Sequence, residues 1–115
     1  MIEDTPANLA LAEKLLRAAG HDVLTSDTGA SGIAMARDRL PDLVLLDLGL
    51  PDMDGWQALR GIRAGEGGAR LRVVAFTADA MVGDRERALA AGFDGYMSKP
   101  IDFATFAGTV EGFLG

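Results

Sequence analysis

The chain has no cysteine, which excludes disulfides, thiolate metal sites and cysteine nucleophiles. Its one histidine, His21, leaves almost nothing for imidazole-based metal binding or a histidine-dependent triad. No apolar run approaches the roughly 18 residues of a membrane span, and no signal peptide is visible. Basic residues number 11 against 17 acidic ones, and the formal charge of −6 gives no electrostatic footprint for nucleic acid or an anionic membrane. These absences leave a soluble, cytoplasmic protein with no nucleic-acid or membrane partner. At 115 residues, about half of them hydrophobic, it reads as one domain over 1–115, long enough to bury a core.

The most informative stretch is PDLVLLDLGLPDMDG, from Pro41 to Gly55. Leu43, Val44, Leu45 and Leu46 run without interruption and stop on Asp47. Four consecutive apolar residues do not suit a strand with one wet face. They suit one buried on both faces, in a parallel sheet covered by helices. Beyond Asp47, the composition of Gly49, Pro51, Asp52, Asp54 and Gly55 reads as loop. A carboxylate is thereby planted where a buried strand ends, facing the crevice in which open α/β sheets bind ligands. Asp52 and Asp54 read as loop residues with no metal role.

Strand and helix patterns alternate around this stretch. Thr5 and Pro6 suit the N-cap and first position of a helix. Leu9, Leu11, Ala12, Leu15, Leu16 and Ala19 then recur at helical spacing up to a stop at Gly20. Residues 22–25 read as a short strand, 30–40 as a helix ended by Pro41, and 55–64 as a helix carrying Trp56, Leu59 and Ile62. A glycine-rich link leads to a strand over 71–76 that ends on Thr77. The helix over 80–91 has Met81, Ala88 and Leu89 on its inner side and Gly92 as its cap. A strand over 93–97 runs into Ser98, Lys99 and Pro100. The helix over 103–114 spaces Phe106, Val110 and Phe113 as core, and His21 reads as a surface residue. Such alternation predicts right-handed βαβ units in a parallel sheet. With two helices on each face, the expectation is a doubly wound, five-stranded, flavodoxin-like α/β fold. Its strand order would be 2-1-3-4-5, with the switch point between the first and third strands.

Polar residues collect at the strand ends of this arrangement: Glu3 and Asp4 at the first, Asp47 at the third, Thr77 at the fourth, Lys99 at the fifth. Three carboxylates in one crevice repel each other, and a hard divalent cation relieves the repulsion. Mg²⁺ is the natural candidate, since it accepts a few carboxylates, keeps several waters and coordinates a phosphoryl oxygen. The Lys99 ammonium and Thr77 hydroxyl opposite the metal would complete a cradle for a small trianionic group.

On the segments IEDTPAN, PDLVLLDLGLPDMDG, VVAFTADAM and GFDGYMSKPI, in that order and spacing, the sequence resembles the response-regulator receiver domains of two-component signalling, the CheY-like superfamily. The resemblance covers essentially the whole chain. The segment TADAMVGDRERALAAGFDGYMSKPI is most similar to single-domain DivK-type receivers and to receivers attached to hybrid kinases. The resemblance implies that Asp47 is the phosphoacceptor, charged by a sensor histidine kinase or a histidine phosphotransfer protein. It implies that Asp4 and Asp47 ligate Mg²⁺, with Glu3 acting through water and Gly49 through its backbone carbonyl. Lys99 would pair with the carboxylate and then the phosphoryl oxygen, and the Lys99–Pro100 bond is expected to be cis. Thr77 and Tyr96 are the expected switch pair, shifting the fourth helix, fifth strand and fifth helix as the face for a downstream protein target. Positions 49 and 79 are expected to tune the lifetime of the phospho-form. The domain would catalyse only its own phosphorylation and dephosphorylation, with no output domain. A haloacid-dehalogenase-like phosphatase would need a second aspartate two residues after the nucleophile, where Gly49 stands.

The start departs from the family pattern. Four or five apolar residues ordinarily precede the acidic pair, whereas Met1 and Ile2 alone do so here. Each missing side chain would bury roughly 1.5–3 kcal/mol, and the gap would leave backbone groups of both neighbouring strands unpaired. The first strand is therefore expected to be clipped, with reduced stability, dimerisation or strand exchange as consequences. A pseudo-receiver that binds proteins without taking phosphate is the competing function.

Overall fold

The computed structural model describes residues 1–65, 67–78, 83–102 and 104–114. In chain order these form α1 (Pro6–Ala18), α2 (Gly29–Arg39), β1 (Leu43–Asp47), α3 (Gly55–Ala64), a 3₁₀ turn (Gly68–Arg70), β2 (Arg72–Thr77), α4 (Asp84–Ala91), β3 (Gly95–Ser98) and α5 (Phe106–Leu114). The strands make a parallel sheet in the order β1-β2-β3, with Leu45 opposite Val74 and Ala75 opposite Tyr96.

Alternation along the strands divides their side chains between two cores. Val44, Leu46, Val73 and Ala75 pack with Ala36 of α2, Ala58, Leu59 and Ile62 of α3, and Ala88 of α4. Leu45, Val74 and Phe76 point the other way, into Ala12 and Leu16 of α1 and Phe106 and Val110 of α5. Cover on both faces is why the apolar run of β1 needs no polar side. The α5 stripe is core, as expected, and His21 is a half-exposed residue whose ring lies 2.9 Å from Glu111. No helix among the described residues is long and apolar enough to cross a membrane.

The expected five strands are not what the described residues form. Residues 22–25 are not a strand, and the residues ahead of Glu3 contribute only Ile2, which bridges in parallel to Leu46 on one side and Ser26 on the other. The physical reason is a shortage of ladder partners. The Ile2 N–H donates to the Leu45 carbonyl at 2.8 Å, the Asp47 N–H to the Ile2 carbonyl at 2.9 Å, and the Ser26 N–H to the Met1 carbonyl at 2.9 Å. The Met1 ammonium donates to the Leu24 carbonyl at 2.6 Å. Burial draws its pKa down to about 6, against the opposing influence of Glu13. Ile2 itself is buried and lies on Gly32 of α2, where a Cβ would come within 2.4 Å of Ile2 Cδ1.

Smaller corrections have equally local causes. Thr5 precedes α1, but its side chain makes no cap bond. Its N–H is held instead by Glu3 Oε1 at 3.2 Å. β3 starts at Gly95, because Asp94 turns its carboxylate onto the Val73 N–H at 2.8 Å and onto Arg63 at 2.9 Å. α4 is described from Asp84 and α5 from Phe106; Asp79, Ala80, Met81 and Phe103 lie outside the described residues.

Candidate functional site

Parallel strands end at one edge of the sheet, so their last residues meet. β1 ends on Asp47 and β2 on Thr77, Lys99 follows β3, and the Ile2 bridges bring Glu3 alongside them. Glu3 is 0% exposed and Asp47 5%. Buried carboxylates need a counter-charge or a metal. Lys99 supplies the first: its Nζ stands 2.6 Å from Glu3 Oε2 and 3.3 Å from Asp47 Oδ2. The ammonium also sits over the Phe76 ring, 5.3 Å from its centroid. Burial is the largest single influence on the Lys99 pKa and lowers it. The Glu3 contact and the Asp47 charge together outweigh that, so the net shift is upward and the lysine stays charged. Its backbone is fixed as well, with the Lys99 N–H donating to the Thr77 carbonyl at 2.8 Å and a cis bond to Pro100, as expected.

The remaining groups orient Asp47 and leave room in front of it. The Gly49 N–H donates to Asp47 Oδ1 at 3.0 Å, which holds the carboxylate in one rotamer. A cleft of about 330 Å³ opens there, lined by Asp47, Gly49, Trp56, Thr77, Asp84 and Lys99 among others. Glu3, exposed Asp4 and Asp47 each offer a carboxylate oxygen, all within 4.8 Å of one another. Glu3 Oε2 is fully enclosed, with the Lys99 ammonium as its partner. Three carboxylates against a single ammonium leave two negative charges unbalanced. Hard oxygen donors of that kind suit Mg²⁺.

Tyr96 on β3 packs against the core shared with α4, and its enclosed hydroxyl has no hydrogen-bond partner among the described residues. Burial, and then the charge of Asp84, raise its pKa. The structure thus gathers Glu3, Asp4, Asp47, Gly49, Thr77 and Lys99 at one edge and sets Tyr96 behind them, while Asp79 lies outside the described residues.

Sequence reasoning missed four side chains here. Trp56 and Asp84 line the cleft, and nothing in the sequence marks either. Asp54 is the N-cap of α3, exchanging side-chain and backbone bonds with Gln57 in a capping box. Asp52 accepts the Gly29 N–H at 2.8 Å and the Ala30 N–H at 2.9 Å, tying the loop after β1 to the start of α2. Those bonds, Ala30 first, lower its pKa. The available signal was that α2 has no acidic residue in its own first turn, so its orphan amides need an acceptor from elsewhere.

Known proteins resemble this chain in sequence and fold. The family model described as "Response regulator receiver domain" matches residues 1–111. The polar-differentiation response regulator DivK of Brucella ovis is 34% identical over 115 residues, covering 100% of this chain and 94% of DivK. The receiver domain of a sensor histidine kinase from Pseudomonas aeruginosa, solved with a magnesium ion coordinated in its active-site cleft, is 37% identical with a TM-score of 0.87, over 99% of this chain and 93% of that one. A CheY-like receiver from Methanospirillum hungatei gives a TM-score of 0.85 at 25% identity, over 98% and 89% of the two chains. The chain belongs to the response regulator receiver domains of two-component signalling.

Proposed function

We propose that this receiver is a phosphoryl-accepting switch, with Asp47 as acceptor and the face made by α4, β3 and α5 as its output to protein partners. The observation that carries the reading is an enclosed Asp47 carboxylate at a strand end, open to a cleft, with one ammonium and two further carboxylates beside it. Asp4, Asp47, the Gly49 carbonyl and, through water, Glu3 would hold Mg²⁺. When bound, the ion neutralises charge on the transferring phosphoryl group. An Asp47 oxygen attacks phosphorus in line, forming the O–P bond as the P–N bond to the donor imidazole breaks and the imidazole departs. Gly49 keeps the carboxylate oriented during the attack, a positional contribution. Lys99 moves its contact from the carboxylate to a phosphoryl oxygen, and the Thr77 hydroxyl donates to another. Thr77 and Tyr96 then shift together and bias α4, β3 and α5.

The donor is a sensor histidine kinase or a histidine phosphotransfer protein, met in the cytoplasm, and residues 1–115 act as one receiver domain. In this reading Ile2 stands for the first strand of a five-strand order 2-1-3-4-5, its bridges joining the Ser26 segment to β1. A binding module that never takes phosphate is the second reading, favoured by that single-residue strand. Incubation with acetyl phosphate or phosphoramidate, with and without Mg²⁺, followed by intact mass, separates the two. The switch gains one phosphoryl group only with Mg²⁺, and Asp47→Asn abolishes the gain. A folded sample that gains none is the binding module.

A further inference from the structure

Asp47 ends β1, and the loop that follows it, residues 48–54, is closed at its neck. The Gly55 N–H donates to the Leu48 carbonyl at 2.9 Å, and Gly49 and Asp54 form an antiparallel bridge. The neck is tight, since a Cβ on Gly55 would come within 2.6 Å of the Leu48 Cα. A neck fixes where a loop starts and ends, but not the direction in which its tip swings. That direction is set by α2. Asp52 Oδ1 accepts the Gly29 N–H at 2.8 Å and Oδ2 the Ala30 N–H at 2.9 Å, so both carboxylate oxygens are engaged. Beside them Met53 lies on the α2 backbone at Gly29, where a Cβ would come within 2.5 Å of Met53 Cγ. The helix also has a cap of its own, Thr28 Oγ1 accepting the Ser31 N–H at 3.3 Å. Asp52 therefore does more than finish a helix: it fastens a loop to one.

The same turn of α2 reaches the other arm of the site. Ser26 Oγ donates to the Thr28 carbonyl at 3.1 Å, and the Ser26 carbonyl accepts the Glu3 N–H at 2.9 Å. A chain of contacts outside the sheet thus runs from Glu3 through Ser26 and the start of α2 to Asp52, then to Gly49 and Asp47. We infer that Asp52 is a positioning residue. By pinning the tip of the 48–54 loop to α2, it holds the Gly49 N–H on the Asp47 carboxylate and keeps the Glu3 and Gly49 arms of the cleft at a fixed spacing. Asp52 does not itself line the cleft, so its removal takes away no reacting group. The Gly49 contact is a matter of geometry alone; the consequence for Mg²⁺ and phosphoryl transfer rests on the function proposed above.

The test compares Asp52→Ala with Thr28→Ala, which removes the helix's own cap and leaves the Asp52 contacts in place. Exchange of the Gly49 amide is read by NMR in metal-free protein. Mg²⁺ affinity is read from the fluorescence of Trp56, the single tryptophan, which lines the cleft. Asp52→Ala speeds Gly49 exchange about fivefold or more and weakens Mg²⁺ binding about tenfold. Thr28→Ala lowers the melting temperature and changes neither. Asp52→Asn keeps one acceptor oxygen, so it gives smaller changes in the same direction, and it replaces Asp52→Ala if that chain does not fold. Gly29→Ala reaches the contact from the other side by displacing Met53, and acts as Asp52→Ala does. Unchanged Gly49 exchange in the Asp52 variants overturns the inference. So does an equal acceleration in Thr28→Ala, since the effect would then be one of α2 stability alone. A parent chain that binds no Mg²⁺ and gains no phosphoryl group overturns the function proposed above, and the Gly49 exchange still decides this inference.

Discussion

The two edges of this sheet are built on opposite terms. At the carboxyl edge, charged side chains are gathered in excess and the enclosed ones are held: Asp47 by Gly49 and Lys99, Lys99 by Glu3 and Phe76. At the amino edge the walls are largely apolar, Leu16, Val23, Ala36, Leu43, Leu45 and Val110 among them, and the contacts described there run through backbone, with the Leu24 and Leu45 carbonyls accepting from Met1 and Ile2. Ile2 stands at the border. Two of its bonds and two from its neighbours are enough to set Glu3 beside Asp47. The position of an active-edge carboxylate thus depends on the residue just before it.

That contrast can be broken from either side. The largest effect should come at the carboxyl edge. Lys99→Met leaves a fully buried Glu3 and Asp47 without their counter-charge and should cost about 3–5 kcal/mol in urea unfolding, with added Mg²⁺ recovering part of it. A cost below about 1 kcal/mol, within the range of an exposed pair, would mean that the carboxylates do not depend on this ammonium. Next is Ile2→Ala, which empties the bridge between Ser26 and Leu46 and should cost about 2–5 kcal/mol. If its melting curve overlays the parent's, Ile2 is not what joins the edges. Gly32→Ala drives a methyl into the Ile2 side chain and should cost about 1–3 kcal/mol; made together with Ile2→Ala, the penalty should largely vanish. The smallest effect is expected behind the site. Tyr96→Phe removes an enclosed hydroxyl with no partner among the described residues, so stability should rise by about 1 kcal/mol rather than fall. A loss would show that the hydroxyl is bonded in solution.

What the sequence revealed, and what it hid, follows the same border. Leu43 to Leu46 announced a doubly covered strand because four apolar residues in a row permit little else, and Asp47 was placed by where that run stops. Thr77 and Lys99 followed, since strand ends in a parallel sheet converge by topology. Residues 22–25 were misread because a strand is a property of a pair: their composition allows one, but Met1 and Ile2 offer too few partners. Asp52 and Asp54 lie in the loop as read, but their helix-capping bonds went unread, although Gln57 three residues after Asp54 is a capping-box signal. Trp56 and Asp84 reach the cleft through the packing of α3 and α4, which no local pattern encodes.

The most direct test is to find which carboxylate carries the phosphoryl group. After reaction with acetyl phosphate and Mg²⁺, borohydride reduction converts an acyl phosphate to the corresponding alcohol, and peptide mapping over 41–55 distinguishes Asp47 from Asp52 and Asp54. Reduction at Asp47 alone, dependent on Mg²⁺, is the predicted result. Reduction at Asp52 or Asp54, or none in a folded sample, would contradict the assignment of Asp47 as the acceptor.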